Sequence, residues 1–224
     1  MAIEIKPIKL FIPIRERGSW DSWFSDNAII VLAAIAGDIM AKYPEDVYVN
    51  VSSIAMNIFN THDPSTEQRT YIKNGFDEIC KINSSWVAKI EESDLFWKIN
   101  TSALKEMDGK KYQYVPFHYT DVMDIIHKFS KSKLVYAAFY LKFLSIFDYR
   151  YEVCYFSQKY MADIMGVTKT TIQNRLRKLE KYKMIYSYHP YTENYINYNK
   201  ETNVYFLPGG FDKAEKYLKE NRNY

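Results

Sequence analysis

Ser157–Ile185, SQKYMADIMGVTKTTIQNRLRKLEKYKMI, is the stretch that decides the fold. Ser157 is a residue type whose side-chain oxygen accepts a free amide at a helix start. Met161, Ala162 and Met165 follow at i, i+1 and i+4, one apolar stripe on a first helix. Gly166 ends that helix, because glycine tolerates the left-handed backbone of a helix terminus. Val167 fills the turn and Thr168 caps a second helix. There Ile172, Leu176 and Leu179 share a face at spacings of four and three. The opposite face carries Thr170, Asn174, Arg177 and Lys181, with Gln173 and Lys178 at its flanks. Lys169, Arg175, Arg177, Lys178, Lys181 and Lys183 stand against the single Glu180 in this region. A short helix with an apolar back and a basic, amide-bearing front suits a DNA major groove. A packed helical hairpin with a solvated charged face would show the same pattern.

The order apolar-Ala-x-x-apolar-Gly-Val-Thr-x-x-Thr-Ile-x-x-x-Leu-x-x-Leu, Met161 to Leu179, resembles that of bacterial winged-helix regulators and replication initiators. The resemblance covers roughly residues 120–210. It implies a winged helix-turn-helix, with helix 169–184 in a major groove. Thr170, Gln173, Asn174 and Arg177 would then meet base edges. Lys169, Thr171, Lys178 and Lys181 would meet phosphate. The partner implied is double-stranded DNA.

A weaker echo lies upstream. Ile54-Ala55-x-x-Ile58 matches Met161-Ala162-x-x-Met165 in pattern, with Ser52 as a candidate cap. A helix is expected over Thr66–Ile82, with Ile72, Phe76 and Ile79 inward, again at spacings of four and three. Trp86–Ile90 and Leu95–Ile99 read as a hairpin around Glu91-Glu92-Ser93-Asp94. Both halves therefore read as helix, short strand, helix, helix, hairpin. The expected class is α+β, mainly α with small β-hairpins, as two tandem winged-helix domains over 1–111 and 112–224. The upstream helix is close to neutral and its hairpin tip is acidic, which does not suit a phosphate-facing surface. That half reads as an association surface, for dimerisation or for a protein partner, or as a weak DNA binder.

The remaining elements follow from local signals. Residues 3–14 alternate apolar and polar, and Pro7 and Pro13 confine them to a sheet edge. Asp26 is a candidate cap for an almost wholly apolar helix over 27–42, which should be central. Asp108-Gly109-Lys110 is a turn signal, and YQYVPFHY after it reads as an extended junction between domains. Thr120 is a candidate cap for a helix to Phe129, and Lys131–Phe147 reads as the apolar helix of the second domain. Ile185–Tyr188 and Asn203–Leu207 flank a wing, HPYTENYINYNKET, in which Tyr191, Tyr195 and Tyr198 could stack at a sugar-phosphate backbone or pack within the hairpin. A last helix is expected from Phe211 to Arg222.

Bulk properties restrict the function classes. The chain has 224 residues, enough for one large or two small domains, and 47% apolar residues, enough for a core. Net charge is only +3, so the basic excess is local to the helix after Thr168. Cys80 and Cys154 are far apart and read as free thiols of a reducing cytoplasm. His62, His118, His127 and His189 lack metal-ligand spacing to one another or to a cysteine. No phosphate-cradling or nucleophile motif is present, so neither catalysis, a cofactor nor a metal is expected. The apolar run Ala28–Ala36 is too short for a membrane span, and the first residues lack signal-peptide character. Regulator and initiator differ in expectation. A regulator calls for a homodimer on a palindrome, and an initiator for DNA contact by both domains.

Overall fold

The computed structural model describes residues 9–18, 22–37, 47–90, 95–106, 108–129, 132–188 and 203–221. The chain forms two compact units, Met1–Ser145 and Ile146–Tyr224. Strand β1 (Lys9–Glu16) and helix α1 (Asp26–Ile35) open the first unit. The cap of α1 is Ser25 rather than Asp26: its hydroxyl accepts the Ala28 amide at 3.2 Å. Every residue from Ala28 to Ile35 is buried, as an all-apolar helix requires.

Strand β2 (Val47–Asn50), helices α2 (Val51–Phe59) and α3 (Thr66–Ile82), and strands β3 (Val87–Lys89) and β4 (Phe96–Ile99) follow. Asn50, not Ser52, caps α2 in a reciprocal pair with Ser53. Ser65 and Gln68 make the same reciprocal cap on α3, whose limits match the sequence reading. Ile72, Phe76 and Ile79 are buried as expected, and Phe76 stacks on Trp97 with ring centroids 4.2 Å apart. Gly75 lets α3 approach α1: a Cβ there would lie 2.7 Å from Val31 Cγ2 and 2.8 Å from the Asn27 carbonyl oxygen.

The first unit continues through α4 (Thr101–Lys105), a short helix the sequence pattern did not suggest, and β5 (Tyr112–His118). Helices α5 (Tyr119–Lys128) and α6 (Lys133–Leu144) complete it. Thr120 lies inside α5 and does not cap it; His118 precedes the helix without a side-chain cap. The stretch read as a junction is instead a strand in a two-stranded sheet. β5 pairs antiparallel with β1, from Lys9 opposite His118 to Glu16 opposite Tyr112, with a register shift between Pro13 and Arg15. Lys142 on α6 reaches Asp26 on α1 at 2.7 Å. The compact division thus falls after Ser145, well beyond the 111/112 junction drawn from sequence.

The second unit holds β6 (Val153–Cys154), α7 (Gln158–Ile164), α8 (Lys169–Lys181), β7 (Tyr186–Tyr188), β8 (Val204–Phe206) and α9 (Phe211–Asn221). Its sheet has the order β6-β8-β7, and the first unit has β2-β4-β3. In each, the last strand lies in the middle. Val47 and Val87 both pair with Ile99; Val153 and Tyr186 both pair with Phe206. The sheets differ in their cover. In the second, Tyr151, Val153, Val204 and Phe206 pack with Ala214, Tyr217 and Leu218 of α9. In the first, Tyr48 is 65% exposed.

Candidate nucleic-acid interface

Both ends of the α7–α8 pair are held by side chains. The Ser157 hydroxyl accepts the Tyr160 amide at 3.1 Å, and the Thr168 hydroxyl accepts the Thr171 amide at 3.1 Å. Gly166 takes φ +63, which places it in the left-handed region. The Val167 amide then donates to the Ala162 carbonyl at 3.0 Å, closing the turn. Met161, Ala162 and Ile164 are the buried residues of α7. Ile164 takes the inward place expected of Met165, which is half-buried at the helix end. In α8, Ile172, Leu176 and Leu179 are buried, as the spacing predicts.

That burial turns a stripe of α8 outward. Thr170, Asn174, Arg177 and Lys181 are exposed at i, i+4, i+7 and i+11, and Lys169 is exposed beside them. Thr171, Gln173 and Lys178 are half-buried flanks. Two of these have internal work. The Thr171 hydroxyl shares a hydrogen bond with that of Thr168 at 2.9 Å. The Lys178 ammonium lies 5.2 Å from the centre of the Tyr182 ring. Arg177 and Lys181 make no ion pair among the described residues. Lys178 and Lys181 also sit in the last turn, where cations meet the favourable end of the helix dipole.

Two further exposed residues lie on α7. Lys159 and Tyr160 are exposed on α7, on the side its apolar stripe leaves outward. Tyr160 leans on Phe156 with centroids 4.8 Å apart. The stripe Met161–Ala162 already indicated them, since positions 159 and 160 fall beside it. The wing 189–202, with its three tyrosines, lies outside the described residues, as does the acidic tip 91–94.

The corresponding helix of the first unit differs in charge and in commitment. Arg69 is tied down twice, to Asp63 at 2.9 Å and to the Pro64 carbonyl at 2.8 Å. Glu78 accepts the Ser25 amide at 2.8 Å. Exposed Glu67 and Asp77 offset Lys81 on its outer face. The turn between α2 and α3 runs from Asn60, itself at φ 55, to Ser65, longer than the turn at Gly166.

A helix-turn-helix domain family model matches residues 136–185. Within the matched residues, α7, the turn at Gly166 and α8 have helix-turn-helix geometry. The match begins within α6 and ends after α8, so it includes the whole outward stripe of α8. A search of curated proteins found no match to the chain. The match and the exposed polar and basic stripe on α8, held by a capped tight turn, support DNA binding.

No group of three or more His, Cys, Asp or Glu that could hold a metal occurs among the described residues. Burial pushes the Cys154 thiol up to about 12, so it is protonated and inert at neutral pH. Cys80 is raised as well, first by burial and then by Asp77. No helix among the described residues is long and apolar enough to cross a membrane.

Proposed function

We propose that the chain is a sequence-specific double-stranded DNA-binding protein of two tandem winged-helix domains, acting in the cytoplasm as a homodimeric transcription regulator. The observation that carries this reading is the outward stripe Thr170–Asn174–Arg177–Lys181 on the second helix of the helix-turn-helix. In it, α8 enters a major groove. Thr170, Gln173, Asn174 and Arg177 read base edges, and Lys169 and Lys181 meet phosphate. Lys178 and Thr171 meet phosphate from the flanks. Lys159 and Tyr160 add backbone contacts from α7. Occupancy of the site blocks or recruits other machinery, with no catalytic step and no cofactor. The near-neutral first unit holds a protein partner.

A second reading is a plasmid or phage replication initiator. The shared strand orders β2-β4-β3 and β6-β8-β7 favour it, because they suit a chain with two readers. A mobility-shift assay on genomic fragments at low salt tests DNA binding itself; no retarded species would end both readings. Footprinting then separates them. One palindrome supports the regulator, and direct repeats contacted by both units support the initiator.

A further inference from the structure

The second unit has an apolar patch that the DNA-reading helix does not use. Phe211, the first residue of α9, is 51% exposed, and Tyr186 on β7 is 40% exposed. The rings are contiguous: Tyr186 stacks on Phe206 at 5.9 Å, Phe206 meets Phe211 edge-on at 6.0 Å, and Phe211 meets Tyr188 at 6.3 Å. Beside them runs a groove of about 140 Å³, lined by Tyr188, Phe211, Ala214, Glu215, Leu218 and Lys219. Its size suits one aromatic ring, since an apolar cavity of roughly 150 Å³ takes benzene. The patch thus offers both a half-exposed ring and a hole for a ring, which is the requirement of a self-complementary surface.

Charge points to the same occupant. On α9, Phe211, Glu215 and Leu218 follow at i, i+4 and i+7, with Asp212 and Lys219 on the adjoining edge. Two such helices laid antiparallel about an axis at Glu215 bring Phe211 and Asp212 of one against Leu218 and Lys219 of the other. Phe211 meets the edge of Leu218 that lines the groove, the rest of Leu218 being buried in the core, and Asp212 meets Lys219 at both ends. Lys219, whose ammonium lies 3.0 Å from its own Glu215, then stands between that carboxylate and the Asp212 of the other copy. A foreign partner would need this same arrangement of charge and ring; a second copy has it by construction.

We infer that two copies associate through α9 in an antiparallel two-fold pair, with Phe211 of each seated in the other's groove between β7 and α9. The inference gives the regulator's dimer its surface and rests on that reading only for its use on DNA. Sedimentation equilibrium of the full chain without DNA tests it directly. The wild type sediments as a dimer by about 100 µM, within the range of a specific if modest association. Phe211→Asp weakens dimerisation by about tenfold or more, as loss of an aromatic anchor should. Lys219→Glu also weakens it, and Asp212→Lys together with Lys219→Glu restores it. Tyr48→Asp, at the exposed sheet face of the first unit, leaves it unchanged. A monomeric wild type, a dimer indifferent to Phe211→Asp, a dimer broken by Tyr48→Asp, or a charge swap that fails to rescue would each overturn the inference. The charge-swap pair lies on the helix surface, so its result stands even if Phe211→Asp impairs folding. Retardation of DNA by the same proteins is scored separately. A monomer that still shifts DNA refutes the dimer surface and leaves the DNA reading intact.

Discussion

Gln158 of α7 donates its side-chain amide to the Tyr205 hydroxyl of β8 at 2.8 Å. Asn203 donates to the same oxygen at 3.1 Å. A buried phenol that accepts two amides is a fixed point, and burial raises its pKa above the ordinary tyrosine value. The link ties the first helix of the reader to the central strand of its sheet. Tyr205→Phe removes the acceptor while keeping the ring. It should lower stability by about 0.5–1.5 kcal/mol, the net worth of a typical hydrogen bond, because Gln158 and Asn203 are only half-buried. Chemical denaturation of both proteins reads the difference. An unchanged midpoint would show that the bond contributes nothing to holding α7.

Ile172 and Asn174 test the orientation of α8. Ile172 is fully buried, and Asn174 is exposed two residues on. Ile172→Ala should cost about 2–5 kcal/mol through the cavity it leaves. Asn174→Ala should stay within about 0.5 kcal/mol in thermal melts while reducing sequence-specific binding. The reverse pattern would mean that the helix is turned the other way.

Arg177 and Lys181 separate reading from attraction. Arg177→Ala should weaken binding to the specific site by about 1–3 kcal/mol if it pairs with a guanine edge. Lys181→Ala should weaken all sequences alike and make the salt dependence shallower by about one unit. Titrations at several salt concentrations, on specific and random duplexes, distinguish the two. Equal losses on both duplexes for Arg177→Ala would remove it from the base-reading set.

Asp121 gives the first unit a dependence on pH. Burial raises its pKa above the ordinary aspartate value, and the Tyr140 hydroxyl, 3.2 Å away, offsets this only in part. Folding therefore favours the protonated acid. That contribution is full below the unfolded-state pKa and is lost as pH rises through the higher folded one. Asp121→Asn should gain stability relative to wild type as pH moves from about 4 toward neutrality. Melting temperatures of the two proteins across that range should diverge; parallel curves would contradict the shift.

Local signals carried the reader in the sequence. Ser157, Gly166 and Thr168 act as caps and turn because their chemistry depends on near neighbours alone. The spacings 72-76-79 and 172-176-179 marked inward faces for the same reason. Caps were misplaced where two suitable residues compete: Ser25 precedes Asp26, and Asn50 precedes Ser52, and the backbone path decides between them. Pairing of β1 with β5 was not legible, because nothing local to Leu10 names Phe117 as its partner. The commitment of Arg69 to Asp63 and Pro64 was equally hidden, so its charge looked available in sequence. Within α8, the outward stripe could be read from period alone. The internal contacts of Thr171 and Lys178 depend on side-chain packing that no period reveals.

The pairing of β1 with β5 sets an order of events during synthesis. Lys9 leaves the ribosome before its partner His118, which follows only after the whole α1–α4 segment has been made. Until then β1 has only its local bonds, such as that from the Phe24 amide to the Ile14 carbonyl and the bridge of Arg15 to Trp23, and closing so long a loop costs entropy before the β5 pairing rewards it. A nascent chain stalled before Tyr112 should keep its first strand open to proteases and chaperones. One stalled late enough for His118 to clear the exit tunnel should protect it. Maturation of the first unit is thus timed by its own fifth strand.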